Sequence, residues 1–338
     1  MIKNRKLLLV VIIIGFLAVF IPFLRTEILS IIHPPIGWNP SQLSWVSRVT
    51  NGQPLYLSEG KTFVEGMIPY SPMFYLLWGY LDKILGYTSL VMGMSLALFF
   101  TLLCCVPLYI LTVKVTKDKV VSIIAPILFL TAYNVISWAT SPSSDTLALL
   151  FTLIGMIIVW QYSSSKGILW SIPLFTLAVY TKQAYIVAPL TVGIYLLWKN
   201  KKIVIPFSVG FIISILVPFF IVNYYTHGQF FLHVIVFPTE STEGKGMIWS
   251  SVPNSILLMF GLNLVPLLTG LGCWIYNLFK KQVGLLEIWF LVAFLVMALL
   301  IGKPGSAWNY GLEWVSVSSI LGCLLVKSVL GQSKSFSR

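Results

Sequence analysis

Residues 7–24 of the chain read "LLLVVIIIGFLAVFIPFL", a run without a single charged side chain. An α-helix rises about 1.5 Å per residue and the hydrocarbon core of a bilayer is about 30 Å thick, so this run is close to one full crossing. Backbone groups cannot stay unpaired in lipid, and the run is therefore expected to be helical. It follows "MIKNRK", and the bulky "FLRTEILSIIHPP" after it offers no small-residue cleavage site, which favours a retained anchor helix.

Comparable apolar runs recur along the whole chain. Of its 338 residues, 58% are hydrophobic and only 9% are charged, a balance that ordinary soluble domains do not have. We predict an all-α polytopic membrane protein with about ten transmembrane helices, forming one integral membrane domain over residues 1–338. The predicted spans are 7–24, 88–112, 120–138, 145–161, 167–180, 184–198, 203–223, 252–277, 284–301 and 311–330.

The distribution of charge indicates the orientation. Placing the N-terminus in the cytoplasm puts most of the 22 Lys and Arg residues on the inner side. Both termini are then cytoplasmic, as expected for a multi-pass protein of the plasma (inner) membrane. The net charge of +12 is explained by this asymmetry and gives no reason to expect a nucleic-acid partner.

Two outer loops are long on this topology. The first covers residues 25–87 and contains the amphipathic, aromatic stretch "IPYSPMFYLLWGYLDKILGY", which is typical of a helix that lies at the membrane interface. The second covers residues 224–251. The inner loops are short and Lys-rich, so no separate soluble domain is predicted.

Polar residues recur at the outer ends of three helix pairs. They are Asp145 after "SPSS", Lys182 in the short turn "TKQ", and the stretch "GKPGSAWNYGLEW" at 302–314. Each taken alone fits a charge anchored at the interface. Three of them on one face favour a shared polar cavity, because ionisable groups at membrane depth usually face water or a partner.

Six short segments resemble the GT-C superfamily of membrane glycosyltransferases, in its protein mannosyltransferase and aminoarabinose transferase branch. The resemblance covers most of the chain and depends on the order and spacing of the segments. They are "NGQPLY" (51–56), "YSPMFYLL" (70–77), "SWATSPSSDTLALL" (137–150), "YTKQAYIVAPL" (180–190), "THGQFF" (226–231) and the 302–314 stretch.

The resemblance implies transfer of a sugar from a polyprenyl-phosphate donor to a glycan, lipid or protein acceptor on the outer face of the bilayer. Such a reaction needs a base for the acceptor hydroxyl and cations for the departing phosphate. The expected bases are Asp145, Glu65 and Glu59. The expected substrate-binding residues are Lys182, Gln183, Lys303, Arg48, Tyr70, Asn309, Tyr310 and Glu313. Glu313 is alternatively expected to pair with Lys303 and hold the outer turn.

The chain also departs from the family pattern. The early part of the first outer loop reads "IGWNPSQ" and lacks the acid that family members carry there, and Ser143 stands where the family has Arg. A catalytically degenerate relative and a transporter or flippase of lipid-linked sugars therefore stay open as alternatives. The three histidines have no metal-ligand spacing, so no metal or other cofactor is expected, and the metal requirement is left open.

Overall fold

The computed structural model describes residues 5–34, 40–57, 67–163, 165–240, 252–302 and 308–330. These residues form helices and connecting turns, and no strand occurs among them. The helices are α1 (Arg5–Ile32), α2 (Pro40–Thr50), α3 (Met73–Leu85), α4 (Leu90–Thr116), α5 (Ile124–Leu130), α6 (Tyr133–Trp138), α7 (Asp145–Gln161), α8 (Ile172–Thr181), α9 (Val187–Lys199), α10 (Lys201–Tyr225), α11 (Gln229–Phe231), α12 (Phe237–Glu240), α13 (Val252–Leu262), α14 (Leu264–Phe279), α15 (Leu285–Ile301) and α16 (Leu312–Val329).

Four helical segments are long and apolar enough to cross a membrane: Lys6–Ile32, Leu90–Thr116, Lys201–Tyr225 and Trp308–Val329. The pair α13 and α14 counts as a fifth if it is one broken span, since the two helices are bent by 102°. Three shorter apolar segments, Val121–Leu130, Asp145–Gln161 and Leu285–Ile301, accompany them. The expectation of an all-helical, multi-pass membrane protein is thereby confirmed at this level.

Two predicted spans are interrupted. The run 120–138 is divided into a 3₁₀ turn (Val121–Ile123), α5 and α6, and the run 252–277 breaks at Asn263. Neither break contains a proline. The Asn263 amide binds Asn134 at the second break, so tertiary contacts, which hydropathy does not report, hold the backbone there.

α16 forms the centre of the bundle, and every residue from Leu312 to Leu324 is buried. Its closest neighbour is α14, because Gly270 has no side chain and lies against Ser318. A Cβ added to Gly270 would lie 2.7 Å from the Cα of Ser318. Small residues at such crossings let two membrane helices approach closely.

The periphery is formed by α1 and α10, whose large apolar side chains point outward. α1 continues eight residues beyond the predicted end of its span at 24 and reaches Ile32. Near that end Glu27 turns inward and accepts a hydrogen bond from Thr140 at 2.9 Å. The first part of the predicted outer loop, residues 25–32, is therefore helical and continuous with α1.

The segment predicted as the first outer loop, residues 25–87, contains the described helices α2 and α3. α3 buries Phe74, Tyr75 and Trp78, whereas Tyr80 and Ile84 on its other face are exposed. It ends at Gly86, which adopts φ +81°, a conformation that only glycine adopts readily. α3 is therefore an amphipathic helix that packs on the bundle.

Candidate functional site

Asp145 is the first residue of α7, and its carboxylate is the centre of a buried polar cluster. The side chain is 1% exposed. Its Oδ1 accepts a hydrogen bond from Lys182 Nζ at 2.6 Å, and its Oδ2 accepts from Ser143 Oγ at 3.0 Å and Asn309 Nδ2 at 3.1 Å. An anion at a helix N-terminus is also favoured by the helix dipole. Asp145 is thus fixed by three separate donors.

Lys182 enters this cluster because the chain breaks between α8 and a 3₁₀ turn over Gln183–Ile186. The residue has extended backbone angles (φ −154°, ψ 123°), and its side chain is 3% exposed. Nζ lies 5.0 Å from the ring centroid of Tyr310 and 5.7 Å from that of Tyr70. Two aromatic faces and one carboxylate therefore surround the ammonium group.

The environment keeps Lys182 charged. Burial by itself lowers the pKa of this ammonium group. The Asp145 carboxylate opposes that effect, with smaller contributions from Tyr310 and Tyr70, and the pKa is raised overall. A cation of this kind, retained in a buried position, can meet a negatively charged ligand.

Asn309 and Tyr310 belong to a 3₁₀ turn, Trp308–Gly311, that leads into α16. The turn is held from below by Asn134, whose Nδ2 donates to the Trp308 carbonyl at 2.7 Å. Asn134 in turn exchanges hydrogen bonds with Asn263 at the break between α13 and α14. The position of Asn309 beside Asp145 therefore depends on two distant segments of the chain, those of Asn134 and Asn263.

Gln183 and Tyr70 connect the cluster to the segment between α2 and α3. Gln183 Nε2 donates to the Pro69 carbonyl at 3.0 Å, one residue before Tyr70. The Tyr70 ring packs against Trp45 and Tyr75, with centroids 6.0 Å away in each case. The residues expected to bind substrate at 70, 182, 183, 309 and 310 thus lie in one region with Asp145.

Four buried polar atoms near this cluster have no hydrogen-bond partner among the described residues: Tyr75 OH, Tyr185 OH, Ser144 Oγ and Asn309 Oδ1. Tyr75 and Tyr185 are both close enough to the Asp145 carboxylate to interact with it electrostatically. Buried polar groups are normally paired, so an orphaned set next to a buried ion pair is typical of a site that binds a polar ligand. Tyr185 was not expected from the sequence, where it reads as one residue of an apolar span.

Other expected residues lie apart from this contact set. Glu313 is buried as the second residue of α16, where its Oε1 accepts from Trp289 Nε1 at 2.6 Å. Arg48 on α2 donates from Nη1 to the Leu55 carbonyl at 3.2 Å. Glu59, Glu65 and Lys303 lie outside the described residues. The expected pair of Glu313 with Lys303 therefore stays a prediction.

The sequence predicted a polar cavity shared by the outer helix ends. In the structure Asp145, Lys182 and Asn309 are instead in direct contact and each is buried. Within the described ranges, no group of three or more His, Cys, Asp or Glu side chains is arranged to hold a metal ion.

Comparison with known proteins identifies the fold. No family model matches the chain, and no curated protein matches it at the sequence level. A solved structure that is similar is the crystal structure of ArnT from Cupriavidus metallidurans bound to undecaprenyl phosphate, with a TM-score of 0.64 and 14% sequence identity. The match covers 92% of this chain and 60% of ArnT.

The protein therefore shares the fold of ArnT, and the expected fold is confirmed at that level. The chain spans about three fifths of the length of ArnT.

Proposed function

We propose that the protein is a membrane glycosyltransferase that moves a sugar from a polyprenyl-phosphate donor to an acceptor on the extracytoplasmic face. The observation that carries this proposal is the buried pair of Lys182 and Asp145, bordered by Asn309 and two tyrosine rings. A retained cation beside orphaned hydroxyl groups suits a phosphate joined to a sugar. The fold shared with ArnT, whose structure contains undecaprenyl phosphate, supports the same assignment.

In the proposed topology all ten apolar runs cross the plasma (inner) membrane and both termini are cytoplasmic. Asp145, Lys182 and Asn309 then lie at the outer ends of their helices. Lysines collect at the opposite ends, as Lys114 does near Gln161 at 3.0 Å. This separation agrees with the positive-inside rule.

Lys182 is proposed to stabilise the phosphate as it leaves. The acceptor oxygen attacks the anomeric carbon, the bond from that carbon to the phosphate oxygen breaks, and the electron pair of that bond leaves on the phosphate. Negative charge on the phosphate grows in the transition state, so a cation fixed nearby before the reaction lowers the barrier. Lys303 is proposed as a second cation because it lies six residues before Asn309 in the chain.

Asp145 is proposed to act in two stages. Before the donor binds, its carboxylate holds Lys182 in position, and each of its oxygens already accepts a hydrogen bond. When Lys182 turns to the phosphate, Oδ1 becomes free to take the acceptor proton. Glu59 and Glu65, in the first outer loop, are the alternative bases.

The remaining groups are proposed to orient the sugar and the acceptor. Asn309 Oδ1 and the Tyr75 and Tyr185 hydroxyls are buried and unpaired, so they can bind sugar hydroxyl groups. Tyr70, Tyr310 and Gln183 border the same region. Arg48 and Glu313 are proposed to support the site rather than to bind substrate. Arg48 donates a hydrogen bond to the Leu55 carbonyl, and Glu313 accepts one from Trp289.

The direct test is transfer of labelled sugar from polyprenyl-phosphate donors by purified protein in liposomes, with glycan, lipid and protein acceptors supplied. K182M removes the cation and should abolish transfer, and D145N should reduce it strongly while donor lipid still binds. K327M is the control, since Lys327 is a partly buried lysine that contacts the Thr116 carbonyl near the other end of α16.

The outcomes separate the alternatives. Transfer by the wild type and K327M but not by K182M supports the proposal. Donor binding without transfer in the wild type indicates a degenerate relative, in keeping with Ser143 at the position of the family's Arg. Movement of donor lipid between leaflets without transfer indicates a flippase. No binding and no transfer refutes all three.

A further inference from the structure

His233 lies in the segment that follows α10, where the chain forms a π-helix over Leu232–Val236. The side chain is fully buried, and its ring centroid lies 5.6 Å from that of Tyr56 and 5.2 Å from that of Phe237. π-Helical turns are rare and frequently occur at functional sites, because the wider turn changes the direction in which a side chain points. Here the turn directs the imidazole toward the first outer loop.

Both nitrogens of His233 bind the backbone of that loop. Nδ1 accepts a hydrogen bond from the backbone N–H of Ile68 at 3.1 Å. Nε2 lies 2.6 Å from the carbonyl oxygen of Leu57. A neutral imidazole has one donor and one acceptor, so acceptance at Nδ1 requires that Nε2 carries the proton and donates to Leu57.

The loop backbone bound by His233 leads directly to the candidate site. Ile68 is followed by Pro69, whose carbonyl binds Gln183, and then by Tyr70, whose ring faces Lys182. Tyr56 packs on His233 and also donates its hydroxyl to the Tyr70 carbonyl at 2.8 Å. Two short routes therefore connect the imidazole to the position of the Tyr70 ring.

We propose that neutral His233 is a positioning residue that holds Tyr70 against the Lys182 ammonium group, a role that rests on the proposed transferase function. A second proton would place an N–H at Nδ1 opposite the N–H of Ile68. The hydrogen bond between them would be lost and Ile68 would be released. The site is then competent only while His233 is neutral.

The surroundings of His233 keep it neutral over a wide pH range. Burial is the largest cause and lowers the pKa of the imidazole. The hydrogen bond to the Leu57 carbonyl raises this pKa, and the positive charge of Arg48 on α2 lowers it further. Among the described residues, Tyr56 is the titratable group packed on His233, and Arg48 is the charged group whose field acts on it. The loss of function should therefore begin below the ordinary histidine value of about 6.5.

Two variants and a matched control test this role. H233F keeps an aromatic ring but removes both hydrogen bonds. H233N keeps an oxygen near the position of Nδ1, where it can accept from Ile68, and does not titrate. H227N is the control, because His227 is an exposed histidine of the same loop with φ +50°, a conformation that asparagine tolerates.

The measurements are hydrogen exchange of the backbone amides of Met67, Ile68, Tyr70 and Ser71 in detergent and the pH dependence of sugar transfer from pH 5 to 8. In H233F, exchange at Ile68 and Tyr70 should accelerate and kcat/KM should fall on the order of tenfold or more, since small displacements at a reacting site are costly. In H233N, transfer should persist at acidic pH where the wild type loses it. H227N should match the wild type in both measurements.

Unchanged exchange in H233F would overturn the positioning role, whatever the transfer assay shows. An acidic limb in H233N identical to that of the wild type would overturn the requirement for neutral His233. If the wild type transfers no sugar at any pH, the proposed function fails. Exchange at Ile68 then still decides whether His233 holds this part of the loop.

Discussion

Lys182 Nζ lies 2.6 Å from Asp145 Oδ1, although 37 residues separate them in the sequence. The contact joins the C-terminal end of α8 to the N-terminal end of α7, so the cation and the anion each lie at the helix end that favours their charge. Both side chains are almost completely buried. The pair therefore matters for folding as well as for the proposed chemistry, and experiments must separate the two.

Removal of one partner should destabilise the protein more than removal of both charges. K182M leaves the Asp145 carboxylate buried with neutral donors alone and should cost about 3–5 kcal/mol of stability. The double variant K182M/D145N removes both charges and should recover most of that loss while remaining inactive. Unfolding in detergent measures this, with K327M as control. A double variant as unstable as K182M would contradict the pairing.

Because α14 and α16 are in close contact at Gly270, adding one methyl group there should strongly destabilise the protein. G270A places a Cβ 2.7 Å from the Ser318 Cα and 2.9 Å from its carbonyl oxygen, so the two helices must separate. Overpacking of this kind typically costs 1–3 kcal/mol, that is, about 2 kcal/mol here.

G272A in the same helix is the matched control for G270A. Its added Cβ would meet Leu325 Cδ2 at 3.4 Å, the flexible end of a side chain. The control should be neutral or slightly stabilising, because alanine favours helix over glycine. Equal unfolding midpoints for G270A and G272A in detergent would show that the helices do not approach as closely as described.

The paired amides of Asn134 and Asn263 should be critical for the break between α13 and α14. N263A leaves the backbone N–H and the side-chain carbonyl of Asn134 without their partners in a buried position, which should cost about 1–3 kcal/mol. The exposed Asn51 donates to Ser47 Oγ, and N51A should change stability little.

Because Asn134 also supports Trp308, N263A should in addition reduce sugar transfer by disturbing Asn309. The measurements are thermal unfolding and transfer on the same preparation. If N263A lowers stability but leaves transfer per folded molecule unchanged, the break between α13 and α14 does not influence Asn309.

Asp82 on α3 predicts a dependence of stability on pH. Burial raises the pKa of its carboxyl group, although the N–H of Ser89, which donates to Oδ2 at 3.0 Å, and the Trp78 side chain act in the opposite direction. A raised folded-state pKa means that the folded protein binds more protons than the unfolded chain. The contribution of Asp82 to stability is present below the unfolded value near 4 and is lost as pH rises through the folded value.

D82N keeps an oxygen that can accept from Ser89 and removes the titration. The stability of D82N relative to the wild type should therefore increase as pH rises from 4 to 7, as followed by unfolding midpoints across that range. A constant difference between the two proteins would refute the role of Asp82.

The sequence predicted that Asp145, Lys182 and the 302–314 stretch lie on one side of the bilayer. The structure brings Asp145 into contact with Lys182 and Asn309, whatever the orientation. The partner of Glu313 did not follow, because Trp289 belongs to an apolar run and gives no local signal of a hydrogen bond. Ser143, Tyr185 and His233 gave no such signal either.

The sequence by itself determined the class of protein. The hydrocarbon core accepts little besides apolar helices, so runs such as 7–24 determine secondary structure and membrane insertion locally. The tertiary structure alone decided where helices break and which polar side chains meet. Asn134 binds Asn263 across 129 residues and His233 binds Ile68 across 165, and such pairs depend on how helices pack, which hydropathy cannot encode.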